Sequence, residues 1–223
     1  MKREELVLRT ADYVKALLSS DTSGHDWWHV YRVWNISKYL AKEENADIFT
    51  TQLTALLHDI DDFKLSNEAD TKNLTKTRKW LEKSKLNQKF IEQICNIIKE
   101  VSFKGANEKS APSSIEGQVV QDADRLDALG AIGVARAFAY GAHKKRPLYD
   151  PQGKVKDYKN FEEYKKGAES TLHHFYEKLL ILKDRMNTKT AKQLAQSRHE
   201  FIERFLDQFL KEWEVNDVPP SNT

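Results

Sequence analysis

Histidine and aspartate residues interrupt three otherwise apolar stretches of this 223-residue chain. The stretches are HDWWHVYRV at 25–33, ALLHDIDDFK at 55–64 and VVQDADRLDALGAIG at 119–133. A buried ionisable group is costly unless it is paired or bound to a metal ion. A divalent cation is the simplest common partner for several converging imidazoles and carboxylates. The three stretches therefore predict a metal site assembled from distant parts of the chain.

The adjacent residues His58 and Asp59 are central to this prediction, because Leu56 and Leu57 indicate a buried helix immediately before them. Neighbouring side chains on a helix point ~100° apart, so a shared ion must lie between their directions, and other helices must supply further ligands. Histidine combined with carboxylate suits manganese, iron, cobalt, nickel or zinc, and magnesium less well. Water on such an ion is a good nucleophile near neutral pH, and the cation also neutralises phosphate charge.

Apolar residues recur at helical spacing along nearly the whole chain, with no sustained alternation of the kind found in strands. The sequence therefore predicts an all-α fold, with one helical bundle over 1–215 and a flexible tail over 216–223. Apolar stripes from Phe161 to Met186 and from Leu194 to Trp213 repeat every three to four residues. These stripes predict a long C-terminal helical hairpin.

Local signals give the expected helix boundaries. Asp47 is expected to cap the start of a helix, and Ser113 and Glu116 have the spacing of a capping box. The segments 103–112 and 143–157 contain glycine, proline and polar residues and are predicted to be loops. The expected helices cover 3–18, 25–44, 48–60, 70–84, 88–100 and, as one helix or two, 114–141.

Composition and charge argue against several classes of protein. The 36 basic and 34 acidic residues leave a formal net charge of +2, which does not indicate a nucleic-acid or membrane surface. The longest strictly apolar run, Leu179–Leu182, is far shorter than the ~20 residues of a spanning helix. No signal peptide is indicated, and the single Cys95 excludes an intramolecular disulfide and a zinc ribbon. We expect a cytoplasmic protein; the sequence leaves its oligomeric state open.

The three stretches, together with RPLYDP at 146–151, resemble the HD-domain metal-dependent phosphohydrolases. The order of a histidine, a His-Asp pair and an aspartate on helices carries the wider resemblance. The four motifs in order resemble most closely the bacterial YpgQ/YedJ-type branch, and the resemblance covers about residues 20 to 210. It implies an HD domain that uses a divalent ion, manganese first, with magnesium, nickel, cobalt, iron or zinc as alternatives.

The resemblance also implies which residues hold the ion. Related HD proteins place the last ligand before an arginine, as in Ala-Asp-Arg-Leu here, which selects Asp124 rather than Asp122. Asp122, Asp127 and His25 are then expected to support the ligands or the fold. The implied metal ligands are His29, His58, Asp59 and Asp124.

Acidic residues often follow the His-Asp pair in related hydrolases, where they act as a general base or orient water. Asp61 and Asp62 occupy that stretch here. Asp62, one turn from His58, is the preferred base, and the alternative is that both are solvated charges at a helix end. The predicted catalytic residues are Asp62, Arg125 and the metal ligand Asp59.

Phosphates on a metal ion need neutralising partners. Asp26 is either a helix-start charge or a substrate contact, and Arg32 is expected to pair with a site carboxylate or to meet substrate. The remaining side chains expected to bind substrate are Lys64, Lys104, Lys144, Lys145 and Arg146.

The resemblance implies a manganese-dependent pyrophosphohydrolase that cleaves nucleoside triphosphates, deoxynucleotides in particular, to monophosphate and pyrophosphate. One alternative is another HD phosphohydrolase acting on a nucleoside monophosphate, cyclic nucleotide or alarmone, although the follow-on motif of HD-GYP proteins is missing. A di-iron oxygenase and a non-catalytic nucleotide-binding module are further alternatives. The expected partner in every hydrolase case is a small phosphorylated molecule.

Overall fold

The computed structural model describes residues 2–19, 26–61, 68–101, 111–156 and 169–218. Helices and their connecting turns account for these ranges, and no strand occurs in them, so the predicted all-α fold is confirmed. No helix in the described ranges is long and apolar enough to cross a membrane. The α-helices are α1 (Arg3–Leu18), α2 (Trp27–Glu43), α3 (Ile48–Leu57), α4 (Glu68–Asn73), α5 (Thr75–Lys83), α6 (Gln88–Val101), α7 (Ile115–Asp127), α8 (Gly130–His143), α9 (Thr171–Glu177) and α10 (Lys189–Trp213).

Helices α2, α3 and α7 pack against one another at the centre of the fold. Helices α1 and α6 contact α3, while α8 and α10 contact α7. Two clusters of buried apolar side chains pack around the central helices, and α2 and α3 contribute to both clusters. Burial stabilises each large apolar side chain by ~1.5–3 kcal/mol relative to exposure. This packing fixes the helix ends that carry the predicted histidines and aspartates.

Side-chain caps set the starts of the two helices that carry the histidines. Asp26 caps α2 and accepts a hydrogen bond from the His29 backbone N–H at 2.8 Å. Asp47 caps α3 and accepts from the Thr50 backbone N–H at 2.8 Å, as predicted. Each cap satisfies a backbone donor that has no partner within its own helix. The expected extension of α3 to Ile60 is wrong, because α3 ends at Leu57 and a turn follows.

The predicted capping box at the start of α7 is displaced by one residue. Ser114 is the actual cap, and its Oγ accepts from the Gly117 backbone N–H at 3.1 Å. Ser113 instead bonds to Glu100 of α6. Glu116 does not close the box, because its carboxylate accepts from the Asp47 backbone N–H at 3.1 Å. A tertiary contact between α7 and the start of α3 therefore replaces the local motif.

Two other expected helices are interrupted. The helix expected over 70–84 divides at Leu74, whose φ of 52° lies in the left-handed region. The first arm of the expected hairpin ends at Glu177, and two short 3-10 turns follow at Leu179–Ile181 and Lys183–Arg185. The start of that arm, from Phe161 to residue 168, lies outside the described residues. The second arm is α10, a continuous helix of 25 residues, as predicted.

Candidate metal centre

Three helix ends carry the four predicted metal ligands: His29, His58 and Asp59 form one compact group, and Asp124 joins it at His29. His29 lies in the first turn of α2, His58 and Asp59 directly follow α3, and Asp124 lies in the last turn of α7. The Nε2 atom of His29 is 3.3 Å from Asp59 Oδ2 and 3.4 Å from Asp124 Oδ1. The other oxygen of Asp59 is 3.5 Å from His58 Nε2. Neighbouring ligand atoms bound at ~2.1 Å to one ion are themselves ~3 Å apart, so this spacing suits a shared cation.

The ring of His58 is held in one orientation by its own helix. Its Nδ1 lies 2.7 Å from the carbonyl oxygen of Ala55. Because a carbonyl only accepts hydrogen bonds, Nδ1 carries a proton, and in the neutral imidazole the lone pair then lies on Nε2. That buried Nε2 makes no hydrogen bond with the described part of the chain. A lone pair in this position, facing Asp59, has the chemistry of a metal ligand.

Asp127 orients the second imidazole. Its Oδ2 lies 2.8 Å from His29 Nδ1, which leaves His29 Nε2 facing Asp59 and Asp124. Burial and Arg136 lower the pKa of His29, but its hydrogen bonds with Asp127 and Asp59 outweigh them and raise the pKa to about 9. The surrounding carboxylates therefore favour a positive charge at this point, which a proton or a metal ion supplies.

Two arginines keep Asp127 ionised. Arg32 donates to its carboxylate from Nε at 2.6 Å and from Nη2 at 3.0 Å, and Arg136 of α8 donates from Nη1 at 2.7 Å. Burial raises the pKa of Asp127, yet the hydrogen bonds from His29 and Arg32 and the charge of Arg136 hold it well below its usual range. Arg32 thus pairs with a carboxylate, the first of its two expected roles. Sequence reasoning missed Arg136, because no local pattern links it to the motifs.

Asp122, the alternative to Asp124, is fully buried and serves the fold. Its carboxylate accepts from the backbone N–H groups of Asn187 and Thr188, both at 2.8 Å. The Asn187 amide and the Thr188 hydroxyl donate to it as well, at 2.9 and 2.8 Å. These bonds tie α7 to the start of α10. The side chain of Asp124, by contrast, is 36% exposed and lies at His29.

Of the two acidic residues that follow the His-Asp pair, only Asp61 lies within the described residues. Asp61 is buried, and its two oxygens accept from the backbone N–H groups of Lys76 and Thr77, each at 2.9 Å. It therefore anchors the first turn of α5, and its interpretation as a solvated charge is wrong. Asp62 lies outside the described residues, so its role as the base stays a prediction.

Of the remaining predicted site residues, some contact other parts of the protein and others lie outside the described residues. Arg125 is buried, and its guanidinium donates to the carbonyl oxygen of Arg185. Lys144 and Arg146 each lie 5.6 Å from the centre of the Tyr140 ring at the end of α8. Their roles with substrate, and that of exposed Lys145, stay predictions. Two further predicted phosphate ligands lie outside the described residues, namely Lys64 and Lys104.

An all-helical fold that brings together a histidine, a His-Asp pair and a later aspartate is the architecture of HD-type metal-dependent hydrolases. The family model described as HD domain matches residues 27–129 of the chain. YpgQ from Bacillus subtilis is 37% identical over 215 residues, which cover 95% of this chain and 96% of YpgQ. The chain therefore belongs to the HD-domain phosphohydrolases, in the branch that includes YpgQ, and is a metal-dependent phosphohydrolase.

Solved structures agree with this assignment. A crystal structure of a Lactobacillus plantarum protein has a TM-score of 0.83 and 37% identity, and covers 96% of this chain and 100% of its own. An HD-superfamily hydrolase from Bacillus thuringiensis has a TM-score of 0.73 and 42% identity, with coverages of 96% and 99%. YpgQ in complex with ADP has a TM-score of 0.76 and 34% identity, with 100% coverage of both chains.

Proposed function

We propose that this enzyme is a manganese-dependent nucleotide pyrophosphohydrolase. It cleaves nucleoside triphosphates, and deoxynucleoside triphosphates in particular, into the monophosphate and pyrophosphate. The observation that carries the proposal is the convergence of His29, His58, Asp59 and Asp124 from three helix ends. The complex of YpgQ with ADP supports a nucleotide as the substrate, because YpgQ is similar to this chain over nearly its whole length.

The proposed ion is held by the Nε2 atoms of both histidines and by the carboxylates of Asp59 and Asp124. Asp127 and the Ala55 carbonyl hold the Nδ1 atoms of the two rings, and so direct both Nε2 atoms into the site. A divalent ion bound there supplies charge that polarises a phosphoryl oxygen and lowers the pKa of a bound water.

Other residues of the chain complete the proposed reaction. Asp62 accepts the proton of the attacking water, in keeping with its position just after the His-Asp pair. The basic side chains near the motifs neutralise the phosphate chain, which carries several negative charges. The candidates for this task are Lys64, Lys104, Arg125, Lys144, Lys145 and Arg146.

A substrate and metal panel tests the proposal. The full-length chain is stripped of metal with a chelator, reloaded with manganese, magnesium, nickel or cobalt, and incubated with nucleoside triphosphates, monophosphates and cyclic nucleotides. We expect deoxynucleoside monophosphate and pyrophosphate in equal amounts, fastest with manganese. Release of inorganic phosphate alone, or turnover only of monophosphates or cyclic nucleotides, contradicts the proposed specificity.

Variants link the activity to the proposed ligands. His58→Ala and Asp59→Ala should each lower kcat by at least about a hundredfold, because each removes a ligand of the ion. Asp207→Asn is a matched control, since Asp207 is an exposed residue of α10 paired with Lys211. Full activity in either ligand variant contradicts the proposed site.

A further inference from the structure

A second concave site lies between the start of α1 and the turn that joins α5 to α6. Its cavity of about 650 Å³ falls within the ~300–1,000 Å³ typical of small-molecule sites. No acidic residue is among the described residues that line it. Like charges that converge on one cavity raise the potential inside it and attract anions. We call it the N-terminal basic cavity, after its cationic lining residues Lys2, Arg3, Arg9, Lys83 and Lys85.

Three of the cations that line this cavity have no acidic partner among the described residues. In the part of the chain that the structure describes, Lys2, Lys83 and Lys85 form no ion pair. Arg3 differs from these lysines, because hydrogen bonds from Thr50, together with the charge of Arg3, lower the pKa of the Asp47 carboxyl group at the start of α3. There it accepts from the backbone N–H of Thr50 at 2.8 Å and from its hydroxyl at 2.6 Å.

The walls of the cavity are rigid elements. The rings of Phe49 and Phe90 stack with their centroids 5.6 Å apart and join the starts of α3 and α6. The Arg3 guanidinium lies 4.9 Å from the centre of the Phe49 ring, which holds the cation at the cavity. The backbone N–H of Lys85 donates to the backbone carbonyl oxygen of Glu82 at 2.9 Å within the turn after α5. A rigid lining lowers the entropic cost of binding.

The cavity is separate from the metal centre. Phe49 lies at the start of α3, whereas His58 and Asp59 follow its end. Phe49 and His58 are nine positions apart, and at ~1.5 Å per residue this places them ~14 Å apart along the helix direction. None of the proposed metal ligands lines the cavity.

We propose that the N-terminal basic cavity binds an oligophosphate chain. The three lysines Lys2, Lys83 and Lys85 around the cavity match a ligand whose negative charges lie on successive groups, whereas a single carboxylate neutralises only one of them. Inorganic pyrophosphate or polyphosphate and the phosphate tail of a nucleotide share this chemistry. This inference does not depend on the proposed reaction at the metal centre.

Equilibrium dialysis of the full-length chain with radiolabelled tripolyphosphate tests the proposal. Excess chelator removes divalent ions, so phosphate cannot bind through them. The test variant is Lys83→Gln with Lys85→Gln, which removes two charges of the cavity. The matched control is Lys79→Gln with Lys89→Gln, which removes two exposed charges from the same helix pair outside the cavity. Thermal unfolding checks that both double variants fold. If the double test variant does not fold, the single variant Lys85→Gln is tested in its place.

We expect tripolyphosphate to bind about tenfold more weakly to the test variant and equally well to the control. A non-hydrolysable deoxynucleoside triphosphate that binds more tightly than tripolyphosphate, with the same dependence on Lys83 and Lys85, identifies a nucleotide as the ligand. Equal or weaker binding identifies the inorganic chain. Unchanged affinity in the test variant, or an equal loss in both double variants, overturns the proposal, because general surface charge then explains the binding.

Discussion

The imidazole Nδ1 of His29 lies 2.8 Å from a carboxylate oxygen of Asp127, although the two residues are 98 positions apart in the chain. Arg32 of α2 and Arg136 of α8 bind the same carboxylate. Asp127 therefore joins α2, α7 and α8 at the candidate metal centre and fixes the ring of His29. Histidine ligands in metal sites commonly depend on such a carboxylate for their orientation.

Replacing Asp127 with asparagine should weaken metal binding more than it disturbs the fold. The variant keeps the shape of the side chain but loses the negative charge that holds His29, Arg32 and Arg136. We expect manganese to bind about 10–100-fold more weakly. Calorimetric titration of the metal-free protein with manganese measures the change. Wild-type affinity in the folded variant contradicts the role given to Asp127, and Asp207→Asn again serves as the control.

Two aspartates that stand two positions apart should respond in opposite ways to substitution. Asp124→Asn should abolish tight manganese binding. Because the side chain of Asp124 is partly exposed, the free energy of unfolding should change by less than about 0.5 kcal/mol. Asp122→Ala should lower the free energy of unfolding by about 2–4 kcal/mol, since it deprives buried donors of Asn187 and Thr188 of their acceptor.

Urea denaturation and manganese titration of both variants distinguish these outcomes. If Asp122→Ala loses metal binding while its stability is unchanged, Asp122 rather than Asp124 belongs to the metal site. The two measurements therefore decide between ligands that the sequence pattern alone left as competitors.

Features with local causes could be predicted from the sequence, whereas features with distant causes could not. Asp47 caps α3 as expected, because a cap depends on residues within one turn. The histidines and aspartates within apolar stretches indicated which parts of the chain meet at the candidate site, and the family resemblance implied the individual ligands. The partnership of Arg136 with Asp127 was not predictable, because it depends on how α8 packs against α7. The capping box failed for the same reason, since Glu116 bonds across the fold to Asp47.

The ion pair between Arg78 and Glu92 should make stability depend on pH in the acid range. The two side chains join α5 to α6 through hydrogen bonds of 2.5 and 2.8 Å. The hydrogen bond from Arg78 lowers the pKa of Glu92 to about 2, from an ordinary value of 4.5. Because the folded pKa is the lower one, the stabilisation is complete above pH 4.5 and disappears as the pH falls toward about 2.

The comparison of wild type with Glu92→Gln isolates this effect. Urea denaturation should show wild type as the more stable protein at pH 6, with a difference that narrows steadily between pH 4.5 and pH 3. A difference that stays constant over this interval shows that the charge of Glu92 contributes nothing. High salt should reduce the difference at pH 6, since both side chains reach solvent.

Substitution of the two aspartates after the His-Asp pair should separate positioning from catalysis. Asp61→Asn removes the charge that anchors the first turn of α5, where two backbone N–H groups donate to it. We expect the free energy of unfolding to fall by about 1–3 kcal/mol. Asp62→Asn should instead lower kcat by about 10²–10⁴-fold, as expected for a general base.

The pH profile of kcat for Asp62→Asn provides the decisive measurement. Loss of the base should remove the acidic limb of that profile, while manganese affinity stays at the wild-type level. If the limb persists in Asp62→Asn and kcat is unchanged, another group accepts the proton. A collapse of kcat in Asp61→Asn with no loss of stability contradicts the anchoring role of Asp61, because removal of an anchoring contact must lower the free energy of unfolding.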